Sequence, residues 1–139
     1  MATHPDDEPG RTFLRPIDEA ECWALMATTT VGRLAFVTDE GQQLVPVNFT
    51  VVDGVVYLRT APDTVIAQLA DGHDDVAFGV DYHDDTYQRG WNVTVTGVTA
   101  LADPPPDEAS TPRPWAPGER DVVIRLTPSS IQGRKVRRR

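Results

Sequence analysis

Leu44-Val45-Pro46-Val47-Asn48-Phe49-Thr50-Val51-Val52-Asp53-Gly54-Val55-Val56-Tyr57-Leu58-Arg59-Thr60 is the stretch that decides the fold. Two runs rich in β-branched and aromatic residues flank a two-residue Asp-Gly step, which tolerates the positive φ angles of a tight hairpin turn. The reading is a strand from Leu44 to Val52, a turn, and a strand from Val55 to Thr60. Outward from this hairpin the period of two recurs. Arg33 to Val37 reads as a strand joined to it through Asp39-Glu40-Gly41, Val76 to Tyr82 as a fourth, Gly90 to Leu101 as a fifth and Asp121 to Leu126 as a sixth. In the fifth strand Trp91, Val93 and Val95 share one face, and Asn92, Thr94 and Thr96 the other. Gly97 interrupts it, as a bulge or a bend that lets a sheet close on itself, and Pro128 admits only an edge position or a bulge. Six evenly spaced strands predict a mainly β fold, a small closed or nearly closed barrel.

Two short helices complete it. Asp18, three residues before Glu21 and just after Pro16, forms a capping-box pattern that starts a helix running to about Ala27. Thr64 to Ala70 follows Ala61-Pro62-Asp63 as a second helix, with Val65, Ile66 and Leu69 as its apolar side and Gly72 closing it. Residues 1–12 are expected to be a disordered segment, 13–133 the folded domain, and 134–139 a solvated basic tail. Residues 102–119 carry Pro104, Pro105, Pro106, Pro112, Pro114 and Pro117 and read as an extended excursion, not a packed element.

At 139 residues the chain has the length of one domain, with surface enough to bury for a core without metals or disulfides. A single cysteine, Cys22, agrees with a reducing, cytoplasmic setting. The sequence has neither a signal-peptide pattern nor an apolar run long enough for a membrane span, so membrane association is not expected. The formal charge is −8, and five of the 13 basic residues fall in the last six positions. The body therefore sets eight basic against 21 acidic residues, a balance of −13 that repels phosphate backbones and makes nucleic acid an unlikely partner.

The generic signals for chemistry are weak. Gly72-His73-Asp74-Asp75 and Tyr82-His83-Asp84-Asp85 place imidazoles beside carboxylates, but both flank a strand where polar turn residues belong, so no metal is expected. Cys22, beside Trp23 on a helix, reads as packing and not as a nucleophile. Asn48-Phe49-Thr50 and Asn92-Val93-Thr94 match the glycosylation pattern but lie in predicted strands. The richer segment is Arg59-Thr60-Ala61-Pro62-Asp63-Thr64. A guanidinium, two hydroxyls and a helix amino terminus are the parts of a phosphate site, although the same residues also serve as plain helix caps.

Taken in order, Glu21-Cys22-Trp23, Val31-Gly32-Arg33-Leu34-Ala35-Phe36, Pro46-Val47-Asn48-Phe49, Arg59-Thr60-Ala61-Pro62, Gly90-Trp91-Asn92-Val93, Pro114 to Arg120 and Ile124-Arg125-Leu126-Thr127-Pro128 with Gly133-Arg134 resemble the FMN-binding split barrels similar to pyridoxamine 5'-phosphate oxidase, in their small actinobacterial-type subgroup. The resemblance implies a six-stranded antiparallel split β-barrel that forms a homodimer with flavin sites at its interface. It implies that Arg59, Thr60 and Thr64 hold the FMN phosphate, that Pro46, Val47 and Asn48 run along the isoalloxazine edge, and that Trp91 and Asn92 approach from the partner subunit. One departure is Val65, where the family usually supplies a lysine or arginine. The expected function is an FMN-dependent oxidoreductase acting on a small molecule. No side chain announces itself as an acid or base, so the catalytic residues are unassigned, and hydride transfer to a flavin needs positioning more than proton transfer. The rivals are a deazaflavin-dependent reductase, which Val65 leaves open, a non-catalytic module for flavin, haem or a similar ligand, and an OB-like nucleic-acid binder, which the acidic body disfavours.

Overall fold

The computed structural model describes residues 12–116 and 118–138. Seven strands, β1 (Thr12–Ile17), β2 (Val31–Thr38), β3 (Gly41–Val52), β4 (Val55–Thr60), β5 (His73–Asp84), β6 (Arg89–Leu101) and β7 (Val122–Arg138), form one antiparallel sheet in the order β1-β7-β4-β3-β2-β5-β6. A further β6–β7 pairing closes β2 to β7 into a six-stranded barrel, and β1 is added outside it on β7. The deciding hairpin forms as read: Asp53 and Gly54 have φ of 51° and 74°, and Val52 pairs with Val55. Each barrel strand turns alternate residues inward. Leu34, Phe49, Leu58, Phe78, Val93 and Leu126, one from each, are buried together, with Phe49 and Phe78 edge to face at 5.0 Å.

Three expectations are corrected. The domain does not stop at residue 133 with a solvated tail behind it. β7 is 17 residues long, and its last five pair with β1 from Thr12 to Pro16 and with Gly90, Trp91 and Asn92 of β6. Lys135 Nζ also reaches Glu21 Oε1 at 2.9 Å. Pro128 is absorbed by the register shift between Thr96 and Gly97, where Thr96 faces Ser130 and Gly97 faces Pro128, so the strand continues beyond the proline. The predicted segment 1–12 ends one residue too late, because Thr12 opens β1; residues 1–11 lie outside the described residues. The second helix is a 3-10 helix, Ile66–Asp71, preceded by the turn around Thr64. Among the described residues no helix is long and apolar enough to cross a membrane.

The first helix, α1 (Glu19–Met26), starts at Asp18, whose carboxylate accepts the Glu21 amide at 2.8 Å. It lies on β7, with Cys22 and Met26 fully buried. Close approach requires a glycine beneath it: a Cβ at Gly133 would stand 2.7 Å from Cys22 Sγ. Burial first, then the charges of Asp18, Glu21 and Glu19, push the Cys22 thiol above its ordinary pKa of 9.0. The thiolate is the reactive form, so Cys22 should resist alkylation in the native protein near neutral pH and react only as fast as the protein unfolds. Unfolding returns the thiol to its ordinary pKa. Its contribution to stability is therefore intact below about pH 9 and erodes as pH rises further. Prompt labelling at pH 7 would contradict a packing role.

Candidate functional site

The barrel is split between β3 and β4. Their ladder runs from Val52↔Val55 to Phe49↔Leu58 and stops there, so Asn48 and Arg59, the next residues on each strand, are not paired with each other. Beyond this point β3 pairs only with β2, while Arg59 and Thr60 continue along β7, facing Val123 and Val122. The Phe49 amide donates toward β2, to the Thr30 carbonyl at 3.0 Å. By the alternation of an antiparallel strand, Pro46 and Asn48 then direct their main-chain groups toward the open side. Pro46 is suited to such an edge because it has no N–H to leave unpaired.

A cavity of about 90 Å³ sits in this split. Pro46, Val47 and Asn48 line it from β3 and Arg59 and Thr60 from β4, which brings together five of the eight predicted site residues. Thr64 is not among the lining residues. Its hydroxyl bonds that of Thr60 at 2.5 Å, donates to the Ala61 carbonyl at 2.9 Å and accepts the Ala67 amide at 3.3 Å, so it acts as a cap one step behind Thr60. Val65 is half-buried against the core. Trp91 and Asn92 line a different cavity, of about 600 Å³, formed by the outer ends of β5 and β6 with Arg134 and Val136 of β7.

The proline-rich segment is the other correction. It is not an unpacked excursion but a strap across the split. Thr50 donates to the Ser110 carbonyl at 2.5 Å, Thr111 and Pro112 are buried, and the Trp115 amide donates to Asn48 Oδ1 at 3.0 Å. Arg59 Nε donates to the Arg120 carbonyl at 2.5 Å and Nη1 to that of Pro112 at 3.5 Å. Pro114, Ala116 and Arg120 complete the cavity wall. Sequence reasoning gave Arg120 no role, since nothing local says where a loop will return; Val65 in a usual cation position was the one available sign of a charge supplied from elsewhere. Among the described residues no carboxylate or imidazole lines the cavity. Elsewhere His73 packs edge-on against Phe36, and His83 lies 3.8 Å from the exposed Asp85. Among the described residues no group of three or more His, Cys, Asp or Glu is placed to hold a metal ion.

Comparison with known proteins agrees with this architecture. The protein Rv0080 of Mycobacterium tuberculosis is 30% identical over 127 residues, covering 86% of this chain and 84% of that protein. A Mycobacterium smegmatis structure described as an FAD-binding protein is 29% identical, with a TM-score of 0.68 over 88% of this chain and 98% of that one. An FAD-binding protein from Mesorhizobium loti shares the fold at 20% identity, with a TM-score of 0.73 over 91% of this chain and 98% of that one. The family described as pyridoxamine 5'-phosphate oxidase matches residues 18–135, nearly the whole described barrel, and the chain belongs to that family.

Proposed function

We propose that the protein binds a phosphate-bearing flavin, FMN or FAD, at the β3–β4 split and serves as a flavin-dependent oxidoreductase for a small molecule. The observation that carries this reading is the end of the ladder at Phe49↔Leu58, which puts an open strand edge beside Arg59 and Thr60. The mycobacterial FAD-binding neighbour supports a flavin and widens the choice from FMN to FAD. The cavity fits the group in part. At about 90 Å³ it suits a phosphate and is well below the roughly 300 Å³ at which small-molecule sites begin, so a ring system must lie outside it, along the β3 edge.

In this reading Arg59 and the Thr60 hydroxyl hold the phosphate, and the main-chain groups of Pro46 and Asn48, on either side of Val47, align the ring. When bound, the flavin supplies the electron-accepting chemistry. The chain's residues bind and orient, which suits a cavity whose described lining holds no carboxylate or imidazole.

A second copy of the chain completes the proposal, with Trp91 and Asn92 of one protomer covering the ring held by the other. The apolar surface available for this is not Val93 and Val95, which share the strand face of Trp91 but are fully buried inside the barrel. It is the outer face of β2 and β3, where Val37 is 59% and Leu44 71% exposed. Absorption spectra of the purified protein, before and after incubation with FMN, FAD, riboflavin and a deazaflavin, test the reading alongside sedimentation equilibrium. A flavin spectrum on a dimer of about 31 kDa, twice the 15.3 kDa chain, is the expected result. Uptake of deazaflavin alone, haem absorption, or a monomer that binds flavin fully would each displace part of it.

A further inference from the structure

We infer that Arg120 is a second phosphate ligand, delivered across the split by the proline-rich strap to stand with Arg59 in one anion site. This deepens the flavin reading and rests on it for the identity of the phosphate's owner, though not for the site itself. Arg59, Thr60 and Arg120 all line the one cavity. The Arg120 Nε atom is buried without a hydrogen-bond partner, a costly state for a charged donor and one that a bound acceptor would relieve. Neither Arg59 nor Arg120 has an ion-pair partner among the described residues, in a chain with 21 carboxylates. Two arginines that line one small cavity put like charges close together, which an anion between them would offset. Their placement is also fixed. The Arg120 carbonyl accepts from Arg59 Nε, so the strap that carries the second cation is tied to the first. Val65, packed against the core, adds no charge here.

The chemistry recognised is a phosphomonoester or diphosphate, which either a flavin cofactor or free inorganic phosphate can present. Arg120→Gln removes the charge but leaves the carbonyl that Arg59 uses, so the strap should remain in place; a melting temperature near the wild type checks this. Arg120→Lys restores a charge without the planar fork. Calorimetric titration with FMN and riboflavin, and thermal shift with inorganic phosphate against sodium chloride of equal ionic strength, are read on the wild type and both variants. The expected result is a loss of FMN affinity of about tenfold to a hundredfold in Arg120→Gln, partial recovery in Arg120→Lys, riboflavin affinity changed by less than about threefold, and the phosphate-induced shift abolished. FMN binding and phosphate stabilisation in Arg120→Gln equal to wild type would overturn the assignment while leaving the flavin reading standing. Failure of the wild type to bind any flavin, with an Arg120-dependent phosphate shift intact, would do the reverse: the anion site stands and its occupant is not a flavin.

Discussion

Deleting residues 134–139 is expected to lower the melting temperature by about 10–20 °C, an effect on the scale of the domain's whole margin of stability. The deletion removes five of the six residue pairs that hold β1, from Thr12↔Arg138 to Pro16↔Arg134, and the three that tie Gly90, Trp91 and Asn92 to β7. With β1 released, Ile17 loses its anchorage beside Cys22, under the start of α1. At about 0.5–1 kcal/mol net for each of the half-dozen or so ladder hydrogen bonds lost, the total is roughly 3–6 kcal/mol. The Lys135–Glu21 ion pair is too exposed to matter much, since such pairs contribute about 1 kcal/mol or less. Replacing the basic side chains of the segment with threonine keeps the backbone ladder and should therefore cost far less than deletion. Calorimetric melting of the three proteins decides the point: a truncated protein melting within about 3 °C of the full chain would mean that the β1–β7 pairing carries no stability.

That outcome bears on how much of the fold was legible. The hairpin around Asp53-Gly54 was readable because its signal is local: two residues set the turn and the flanking alternation sets the faces. The closing strands were not. Thr12–Ile17 contains Arg15 and Pro16, and among its described side chains Leu14 is 56% exposed and only Ile17 packs against the core, so no regular alternation announces it. Residues 134–138 look like a solvated charge run. Thr12–Ile17 becomes a strand because residues 133–138 supply its partner across more than a hundred residues, and those residues are themselves held by β1 and by Gly90 to Asn92 of β6, facts that periodicity cannot contain. Pro128 was read as an edge position or a bulge, and the bulge is what forms; the miss was ending the sixth strand at Leu126 when the bulge lets β7 continue. The helix read from Thr64 to Ala70 forms two residues later, at Ile66–Asp71, closed by Gly72 and with Ile66 and Leu69 buried, and the spacing of its apolar residues did not distinguish a 3-10 helix from an α-helix.

The site was legible in the same uneven way. Arg59 and Thr60 stand out as a guanidinium and a hydroxyl ending an apolar strand, and the structure places both in the split with Pro46, Val47 and Asn48. Thr64 carried the same chemical promise, yet a hydroxyl at the start of a helical turn satisfies the nearest amide first, and here it does. Arg120 was missed because its position depends on a strap that returns to β4 after 61 residues.

Under the proposed flavin reading, Arg59→Ala should weaken FMN binding by about thirtyfold to several hundredfold, the largest binding effect of any single substitution in the cavity. Loss of charge-assisted hydrogen bonds to a phosphate accounts for roughly 1.5–3 kcal/mol, a factor of about ten to over a hundred. The substitution also removes the donor to the Arg120 and Pro112 carbonyls, so the strap loosens and Arg120 is held less firmly. Riboflavin, which has no phosphate, should feel only this second effect and lose affinity by a few-fold. Arg59→Lys separates the two contributions, since a lysine keeps the charge but cannot span both carbonyls and a ligand with one ammonium group. It should bind FMN between the wild type and the alanine variant. Val65→Lys, which the Val65 departure alone would suggest as a gain, should not tighten FMN, because the half-buried valine packs against the core and does not line the cavity. Equal losses of FMN and riboflavin in Arg59→Ala would show that Arg59 serves the strap and not the phosphate. Unchanged FMN affinity would place the phosphate outside the β3–β4 split altogether.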